Sequence, residues 1–346
     1  MKKLIIAVAA TMTLFAGCYG IAASDEETGD EVSTEVVSSG TFDAFKLRNI
    51  GPAFMSGRIA DIAIVQDDPA TSYVGVGSGG VWKTENAGTT WTSLFDGQDV
   101  YSIGAIGLDP SDPNRVWVGT GENNGGRHIS FGDGIYKSND GGASWENMGL
   151  KESEHISKVI VHPEDPDTVW VASQGPLWSA GGERGVFKTT DGGKTWENTL
   201  ASGEFTGATD MVIDPRNPDR LYVAMWQHHR TVAAWVGGGP ESGLWKSEDG
   251  GETWEEMKSG LPKGNMGKIG LAISPIRPDV LYAAIELDRR EGGVWKSTDR
   301  GATWEKGADA VGGGTGAHYY QELYASPHKF DLILSLIHIS EPTRPY

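Results

Sequence analysis

Short apolar stretches that alternate with polar residues recur along the chain, and each one ends at a turn. Alternation with period two, broken by Pro, Asp and Gly, is typical of β-strands rather than helices. Five such stretches are IADIAIV, IGAIGLD, ISKVIVH, TDMVID and IGLAIS. After each one comes a proline-containing turn and a second apolar stretch with an aromatic residue: Tyr73, Trp117, Trp170, Tyr222 and Tyr282. The pattern predicts an all-β chain of short antiparallel strands.

The second half of each unit is even more uniform. The phrase GVWKSTDRGATW stands at 293–304 and GLWKSEDGGETW at 243–254, and three related phrases precede them. Their closing tryptophans lie 50 to 58 residues apart. A period near fifty with four predicted strands per period is typical of a propeller blade, which must stack on neighbours to bury both faces. The sequence predicts a β-propeller of four-stranded antiparallel blades, with five blades, part of a sixth at 319–334 and an incomplete ring.

The glycine-rich turn of each phrase has its own chemistry. In the pattern Ser/Thr-x-Asp-x-Gly-x-Thr/Ser-Trp, the Asp carboxylate can accept backbone N–H bonds within the turn, and the Trp offers a large apolar plate. We therefore predict a structural role for these residues: Asp140, Trp145, Asp191, Trp196, Asp249, Trp254, Asp299 and Trp304. The first copy departs from the pattern, with Asn86 in place of the Asp and Trp91 at its end.

The turn motif is identified as the Asp-box, or bacterial neuraminidase (BNR) repeat, and the resemblance covers roughly 47–333. Its families include sialidases, xyloglucanase-type glycosidases and sortilin-type receptors. The run NIGPAFMSGRIADIAI with VGSGGVWKTENAGTTW most resembles bacterial sortilin-like proteins, which are often labelled glycosyl hydrolases. Sialidases of this fold carry an early Arg-Ile-Pro, whereas here Arg58 and Ile59 precede Ala60. The resemblance implies a propeller completed by the remaining blades of a natural full-length chain, but fold alone does not give function.

The N-terminus has the form of an export signal. Lys2 and Lys3 precede a twelve-residue apolar stretch, and FAGC follows with Cys18, the single cysteine. This resembles a bacterial lipoprotein signal, so we predict a signal at 1–18 with lipidation at Cys18, an acidic flexible linker at 19–44 and the propeller at 45–333. Ordinary cleavage after Ala23 is the alternative. Either way we expect an extracytoplasmic protein: a lipoprotein of the bacterial outer membrane or cell surface, or a secreted or periplasmic protein.

The C-terminal segment does not fit the repeat. LSLIHISEPTRPY at 334–346 resembles the translation of an adapter used in sequencing libraries. We therefore predict that 334–346 is a non-native tail and that the natural chain continues beyond about Ile333.

Composition limits the partners. The net charge of −18 argues against nucleic acid, because phosphate backbones need basic patches. With Cys18 used in the signal, no disulfide or thiol catalysis is expected. We expect no cofactor and no metal, since the histidines show no ligand spacing, and contact with a membrane only through a lipid at Cys18.

Candidate ligand-binding residues lie on the long loops, which vary between units while the Asp-box turns do not. Loops between second and third strands and between successive blades share the end of the propeller opposite the Asp-boxes, and function often resides on variable loops held by a rigid scaffold. Aromatic and polar side chains together suit sugar or peptide binding. The predicted set is Arg58, Glu122, Asn123, Arg127, His128, His155, Lys158, Trp178, Trp226, His228, His229 and Arg230. The alternative is that these loops only pack on each other.

One column of the first strands carries charged residues where apolar ones are expected. Aligned on their turns, the units place Asp61, Ala105, Lys158, Asp210, Gly270 and Gln321 at equivalent positions near the channel mouth. Glycosidases use two carboxylates about 5–10 Å apart, so Asp61 and Asp210 are the candidate catalytic pair. Pairing with neighbouring groups or channel water is the alternative. The leading hypothesis is an exported module that binds peptide or glycan on the long-loop face; a glycoside hydrolase of xyloglucanase type and an envelope scaffold are the alternatives.

Overall fold

The computed structural model describes residues 57–126, 128–287, 292–309, 322–335 and, for the backbone alone, 339–340. Every regular element in this part of the chain is a strand. The signal with Cys18, the linker at 19–44 and the start of the predicted propeller at 45–56 lie outside the described residues. No helix among the described residues is long and apolar enough to cross a membrane.

Twenty of the strands form five four-stranded antiparallel sheets, the blades. Blade 1 contains β1 (Ile59–Ile64), β2 (Ser72–Val76), β3 (Gly80–Thr84) and β4 (Thr92–Ser93). Blade 2 contains β5 (Ile103–Asp109), β6 (Asp112–Thr120), β7 (Ile135–Ser138) and β8 (Glu146–Asn147). Blade 3 contains β9 (Ile156–Val161), β10 (Val169–Ser173), β11 (Gly185–Thr189) and β12 (Glu197–Leu200).

The remaining strands follow the same order with one insertion. Blade 4 contains β13 (Thr206–Asp214), β14 (Asn217–Gln227), β17 (Gly243–Ser247) and β18 (Glu255–Met257), and its long loop holds the hairpin β15 (His229–Arg230) and β16 (Trp235–Val236). Blade 5 contains β19 (Ile269–Ile273), β20 (Leu281–Glu286), β21 (Gly292–Ser297) and β22 (Glu305–Ala308). A last sheet contains β23 (Leu323–Ala325), β24 (Ile333–Ser335) and β25 (Ile339–Ser340). The predicted all-β propeller of four-stranded antiparallel blades is confirmed.

The blades stack face to face, and their first strands are neighbours. Each of β1, β5, β9, β13, β19 and β23 contacts the next in that order. A separate apolar cluster fills each junction; between blades 1 and 2, for example, Tyr73 and Val81 pack with Ile106 and Val118. The core is therefore a series of layers between sheets, which explains why a single repeat cannot be stable alone.

Each Asp-box closes its own turn by hydrogen bonds. In blade 2, the Ser144 N–H and the Ser138 hydroxyl donate to Asp140 Oδ1 at 2.8 and 2.7 Å, and the Ser144 hydroxyl donates to Oδ2 at 2.6 Å. Asp191, Asp249 and Asp299 repeat this arrangement in blades 3 to 5. In blade 1, Asn86 Oδ1 accepts the equivalent Thr90 N–H bond at 2.9 Å, so the amide preserves the turn.

The Asp-box tryptophan reaches backwards to the preceding blade. The indole N–H groups of Trp145 and Trp196 donate to the carbonyl oxygens of Leu94 and Met148 at 2.9 and 2.8 Å. The Trp254 indole donates to Thr199 Oγ1 at 3.3 Å, and the Trp304 backbone N–H donates to Ser259 O at 3.0 Å. The recurring Asp-box phrase therefore also connects each blade to the preceding one.

In blades 1 to 3, the aromatic residue of the second strand reaches forwards to the next Asp-box. The Trp170 indole N–H donates to Gly250 O at 2.9 Å, and the Tyr73 hydroxyl donates to Gly141 O at 3.3 Å. Trp117 lies against Gly193, where a Cβ would stand 2.7 Å from the ring and φ is 94°. Glycine is required at that turn by both space and backbone conformation.

Candidate functional site

A cavity opens where the first strands of blades 3, 4 and 5 meet the last sheet. Its volume is about 250 Å³, and its lining includes Lys158, Asp210, Leu271, Glu322 and Tyr324. A small pocket of about 20 Å³ shares three of these residues and extends to Asn123 and Lys268. The structure therefore brings two residues of the predicted charged column, Lys158 and Asp210, to one cavity.

Asp61 and Asp210 occupy equivalent bulges in the first strands of blades 1 and 4. Asp61 accepts N–H bonds from Ile62 at 2.8 Å and from Ile106 of the next blade at 2.9 Å. Asp210 accepts the equivalent bonds, from Met211 at 2.8 Å and from Leu271 at 2.7 Å. Each carboxylate thus joins its strand to the next blade and is held in one orientation.

Lys158 is the cation among these carboxylates. Burial opposes its charge, but the nearby carboxylates of Asp61 and Asp210 outweigh burial, so the pKa of Lys158 is raised. The opposite balance holds for Asp210, where burial outweighs the attraction of Lys158 and raises the pKa. The site therefore holds the ammonium group of Lys158 firmly, and the Asp210 carboxyl group takes up a proton more readily than usual.

Two cavity residues were missed by sequence reasoning. Lys268 donates to Asn123 O at 2.5 Å, and burial lowers its pKa to about 8. Glu322 accepts hydrogen bonds from Asn123 Nδ2 at 3.5 Å and from the Tyr324 hydroxyl at 2.8 Å, and burial raises its pKa. Lys268 lies just before β19. A lysine next to the apolar first strand of blade 5 was visible in the sequence and could have been recognised as a candidate. The sixth unit was aligned on Gln321, which lies outside the described residues, whereas its neighbour Glu322 lines the cavity.

Arg58 and Glu122 form an ion pair between the start of blade 1 and the long loop of blade 2. The Glu122 side chain is fully buried and also accepts a hydrogen bond from Asn124 Nδ2 at 2.7 Å. Arg58 Nη1 lies 2.9 Å from Nε2 of His128, which is exposed. Arg127, between these partners in the sequence, lies outside the described residues.

The long loop of blade 4 is built around stacked rings. The rings of Trp226 and His228 stack with centroids 4.1 Å apart and planes 11° apart. The Arg230 guanidinium lies 4.3 Å from the centroid of the Trp235 ring and donates to Gly125 O at 2.9 and 3.1 Å. These contacts bury Trp226, His228 and Arg230 and connect the loops of blades 2 and 4.

The remaining predicted loop residues differ in exposure. Trp178 is exposed, and His229 is partly buried against the ring of Phe205. His155 is buried, its Nδ1 lacks a hydrogen-bond partner, and burial lowers its pKa to about 4. Much of the predicted loop set therefore holds the loops together, and which members contact a ligand stays a prediction. Within the described residues, no group of three or more His, Cys, Asp or Glu side chains could hold a metal ion.

The chain resembles proteins of two kinds. The Sortilin-Vps10 family, described as sortilin, neurotensin receptor 3, matches residues 133–238. A probable oligoxyloglucan-reducing end-specific xyloglucanase of Neosartorya fischeri is 25% identical over 203 residues, which are 54% of this chain and 22% of that protein. A xyloglucanase of Acetivibrio thermocellus is 24% identical over 233 residues, covering 57% of this chain and 25% of that one.

Two solved structures share the fold. An ancestral GH74 enzyme superposes with a TM-score of 0.55 at 17% identity, over 76% of this chain and 34% of that chain. The GH74 xyloglucanase from Xanthomonas campestris gives a TM-score of 0.51 at 14% identity, over 82% of this chain and 51% of that chain. The chain spans about a quarter of the length of the curated relatives it matches. Together these similarities support a sortilin-like BNR β-propeller, to which the name glycosyl hydrolase-like also applies.

Proposed function

We propose that this chain is part of an exported propeller that binds a peptide or glycan at the long-loop end of its channel. The observation that carries the proposal is the cavity in which Lys158 lies among the carboxylates of Asp210 and Glu322. Buried charges are costly to maintain, so a cluster of them beside a cavity suits the recognition of a polar ligand. The form of the N-terminus supports export and a lipid at Cys18.

The cavity walls suit a small polar group with an apolar side. About 250 Å³ is less than a drug-sized ligand needs, and fits one sugar ring or one amino-acid side chain of a longer ligand. The Lys158 ammonium can donate to hydroxyl or carbonyl oxygens, and Leu271 and Ile273 offer apolar contact. Asn123 Oδ1 is buried without a hydrogen-bond partner at the edge of the smaller pocket, where it can accept one from a ligand.

Glycan and random-peptide arrays probed with the full chain test this proposal. The matched variants are Lys158→Met, which removes the ammonium at the cavity, and Val232→Lys, which changes an exposed residue of the β15–β16 hairpin. We expect the full chain and Val232→Lys to retain the same ligands, and Lys158→Met to lose them while keeping its circular dichroism spectrum. Equal binding by Lys158→Met would contradict the channel site.

A second candidate function is hydrolysis of a xyloglucan-type polysaccharide. It is favoured by the xyloglucanase relatives and by the raised pKa of Asp210, because a glycosidase needs one carboxyl group that stays protonated as a general acid. Against it, the carboxylates of Asp61 and Asp210 each accept two backbone N–H bonds at a blade junction.

Reducing-sugar release from tamarind xyloglucan decides between the two functions. Turnover by the full chain that Asp210→Asn abolishes would establish the hydrolase. If the full chain releases no reducing sugar from xyloglucan but still binds its array ligands, hydrolysis is excluded and binding is the remaining function.

A further inference from the structure

The small pocket beside the cavity has room for a single polar atom. Its volume is about 20 Å³, and a water molecule needs roughly 10–15 Å³ of such space. The pocket shares Lys158, Asp210 and Glu322 with the larger cavity, so the two spaces adjoin. An atom in the small pocket can therefore belong to a larger group that lies in the cavity.

Asn123, which lines the small pocket, presents an acceptor that lacks a donor. The residue is 5% exposed, and its Oδ1 has no hydrogen-bond partner among the described residues. Its other polar groups are held in place: the backbone O accepts from Lys268 Nζ at 2.5 Å and from Gln174 Nε2 at 3.1 Å. Because a buried acceptor that stays unpaired is costly, the occupant of the pocket should carry an N–H or O–H donor.

The same pocket is lined by donors, so its occupant should also accept hydrogen bonds. Lys268 is 4% exposed, and its ammonium group has three N–H donors, of which one goes to Asn123 O. Thr209 is also 4% exposed; its hydroxyl oxygen accepts from Gln174 Nε2 at 3.1 Å, and its O–H can donate. The occupant is therefore a group that both donates and accepts.

The charges around the pocket favour a neutral occupant. The ammonium groups of Lys158 and Lys268 and the carboxyl groups of Asp210 and Glu322 line it, and in their charged forms they cancel. An anion would lie against the two carboxylates and a cation against the two ammonium groups, so neither would recover the cost of leaving water. An ammonium group only donates, a carboxylate only accepts, and an amide has two polar atoms. A hydroxyl group meets all three requirements.

We propose that the small pocket binds one hydroxyl group of a neutral sugar whose ring lies in the adjoining cavity. The inference rests on the proposed function, because it names the ligand class of the same site. It makes Asn123 and Lys268 the residues that select an uncharged hydroxyl against amino and carboxyl groups.

The walls of the cavity favour a sugar over a hydroxyl-bearing amino acid. A sugar ring has hydroxyl groups on its edge and C–H groups on its faces, which suits polar groups at Lys158 and Glu322 and apolar walls at Val212, Leu271 and Ile273. A serine or threonine would bring backbone N–H and C=O groups against the apolar walls, and a tyrosine ring would leave the polar groups unpaired.

Binding of matched glycans to the full chain tests the proposal. The probes are neutral oligosaccharides of glucose, galactose or mannose, each printed beside its 2-amino and 6-carboxyl counterparts. We expect a neutral glycan to bind about tenfold or more tightly than either charged counterpart. In a series of deoxy forms of that glycan, removal of the one hydroxyl that enters the pocket should weaken binding by about 10- to 100-fold.

Asn123→Asp tests the selecting residue directly. The change keeps the side-chain volume and replaces the amide with a carboxylate, so the pocket becomes negative; the variant should lose affinity for the neutral glycan and gain it for the 2-amino counterpart. Asn217→Asp, the same change at the start of β14 and away from the pocket, should keep the selectivity of the parent chain. The deoxy series needs no variant and decides the matter even if Asn123→Asp fails to fold.

The outcomes separate this inference from the proposed function. Charged counterparts that bind as tightly as the neutral glycan would overturn the inference, and so would equal binding of all deoxy forms, which would mean that the pocket holds only water. Selection of peptides alone, with binding lost in Lys158→Met, would overturn the inference and leave the channel site standing. Glycan binding that Lys158→Met does not change, or no binding to any probe, would overturn both.

Discussion

Replacing Trp170 with alanine should destabilise the propeller strongly at the junction of blades 3 and 4. The side chain is 1% exposed and packs in the cluster that contains Met211 and Leu221. Removing a buried tryptophan costs roughly 3–5 kcal/mol, and the indole N–H bond to Gly250 O adds about 1 kcal/mol. We expect the free energy of unfolding to fall by about 4–6 kcal/mol, measured by urea unfolding followed by far-ultraviolet circular dichroism.

Two further variants separate packing from hydrogen bonding. Trp170→Phe keeps most of the buried aromatic surface but removes the indole donor and a small part of the ring system, so the loss should be smaller, about 1–2 kcal/mol. Trp178→Ala removes an exposed tryptophan and should change stability by less than about 0.5 kcal/mol. If Trp170→Ala unfolds at the same urea concentration as Trp178→Ala, the interlocking of second-strand aromatics with Asp-boxes is not what holds the blades together.

Three other predictions follow from the charges. Hydrogen bonds from Ser144 lower the pKa of Asp140 from 3.8 to about 2, so its stabilising effect should be lost as pH falls through that window, and Asp140→Asn should flatten the acid limb of the unfolding profile. Burial lowers the pKa of Lys268 from 10.5 to about 8, so thermal stability should rise between those pH values, and Lys268→Met should remove the rise. Arg58→Ala leaves Glu122 buried without its cation and should cost about 2 kcal/mol in urea unfolding, with Arg58→Lys costing less.

The fold could be predicted because local and global signals agree in every repeat. Strand alternation, the proline turns and the Asp-box each point to the same four-stranded unit, and their period sets how the units stack. The sequence did not show whether a given aromatic residue packs against the preceding blade or against the following one. That Trp145 packs backwards while Trp170 packs forwards depends on how neighbouring sheets face each other.

The candidate site was only partly predictable. Aligning the first strands identified Asp61, Lys158 and Asp210, because a charged residue stands out among apolar ones. The alignment of first strands did not identify Lys268, because Lys268 precedes its strand and only its long side chain reaches the cavity. It did not identify Glu322, because a short, incomplete repeat gives no firm strand register. The burial of the long loops could not be predicted either, because packing between loops leaves no periodic pattern in the sequence.

The most direct test of the channel site is a crystal structure of the full chain with the ligand that the arrays select. We expect a polar atom of the ligand to lie within hydrogen-bond distance of Lys158 Nζ, with the rest of the ligand leaving the channel over Asn123. A ligand bound only at the outer loops, around Trp178 or His128, with the cavity between Asp210 and Glu322 empty, would contradict it.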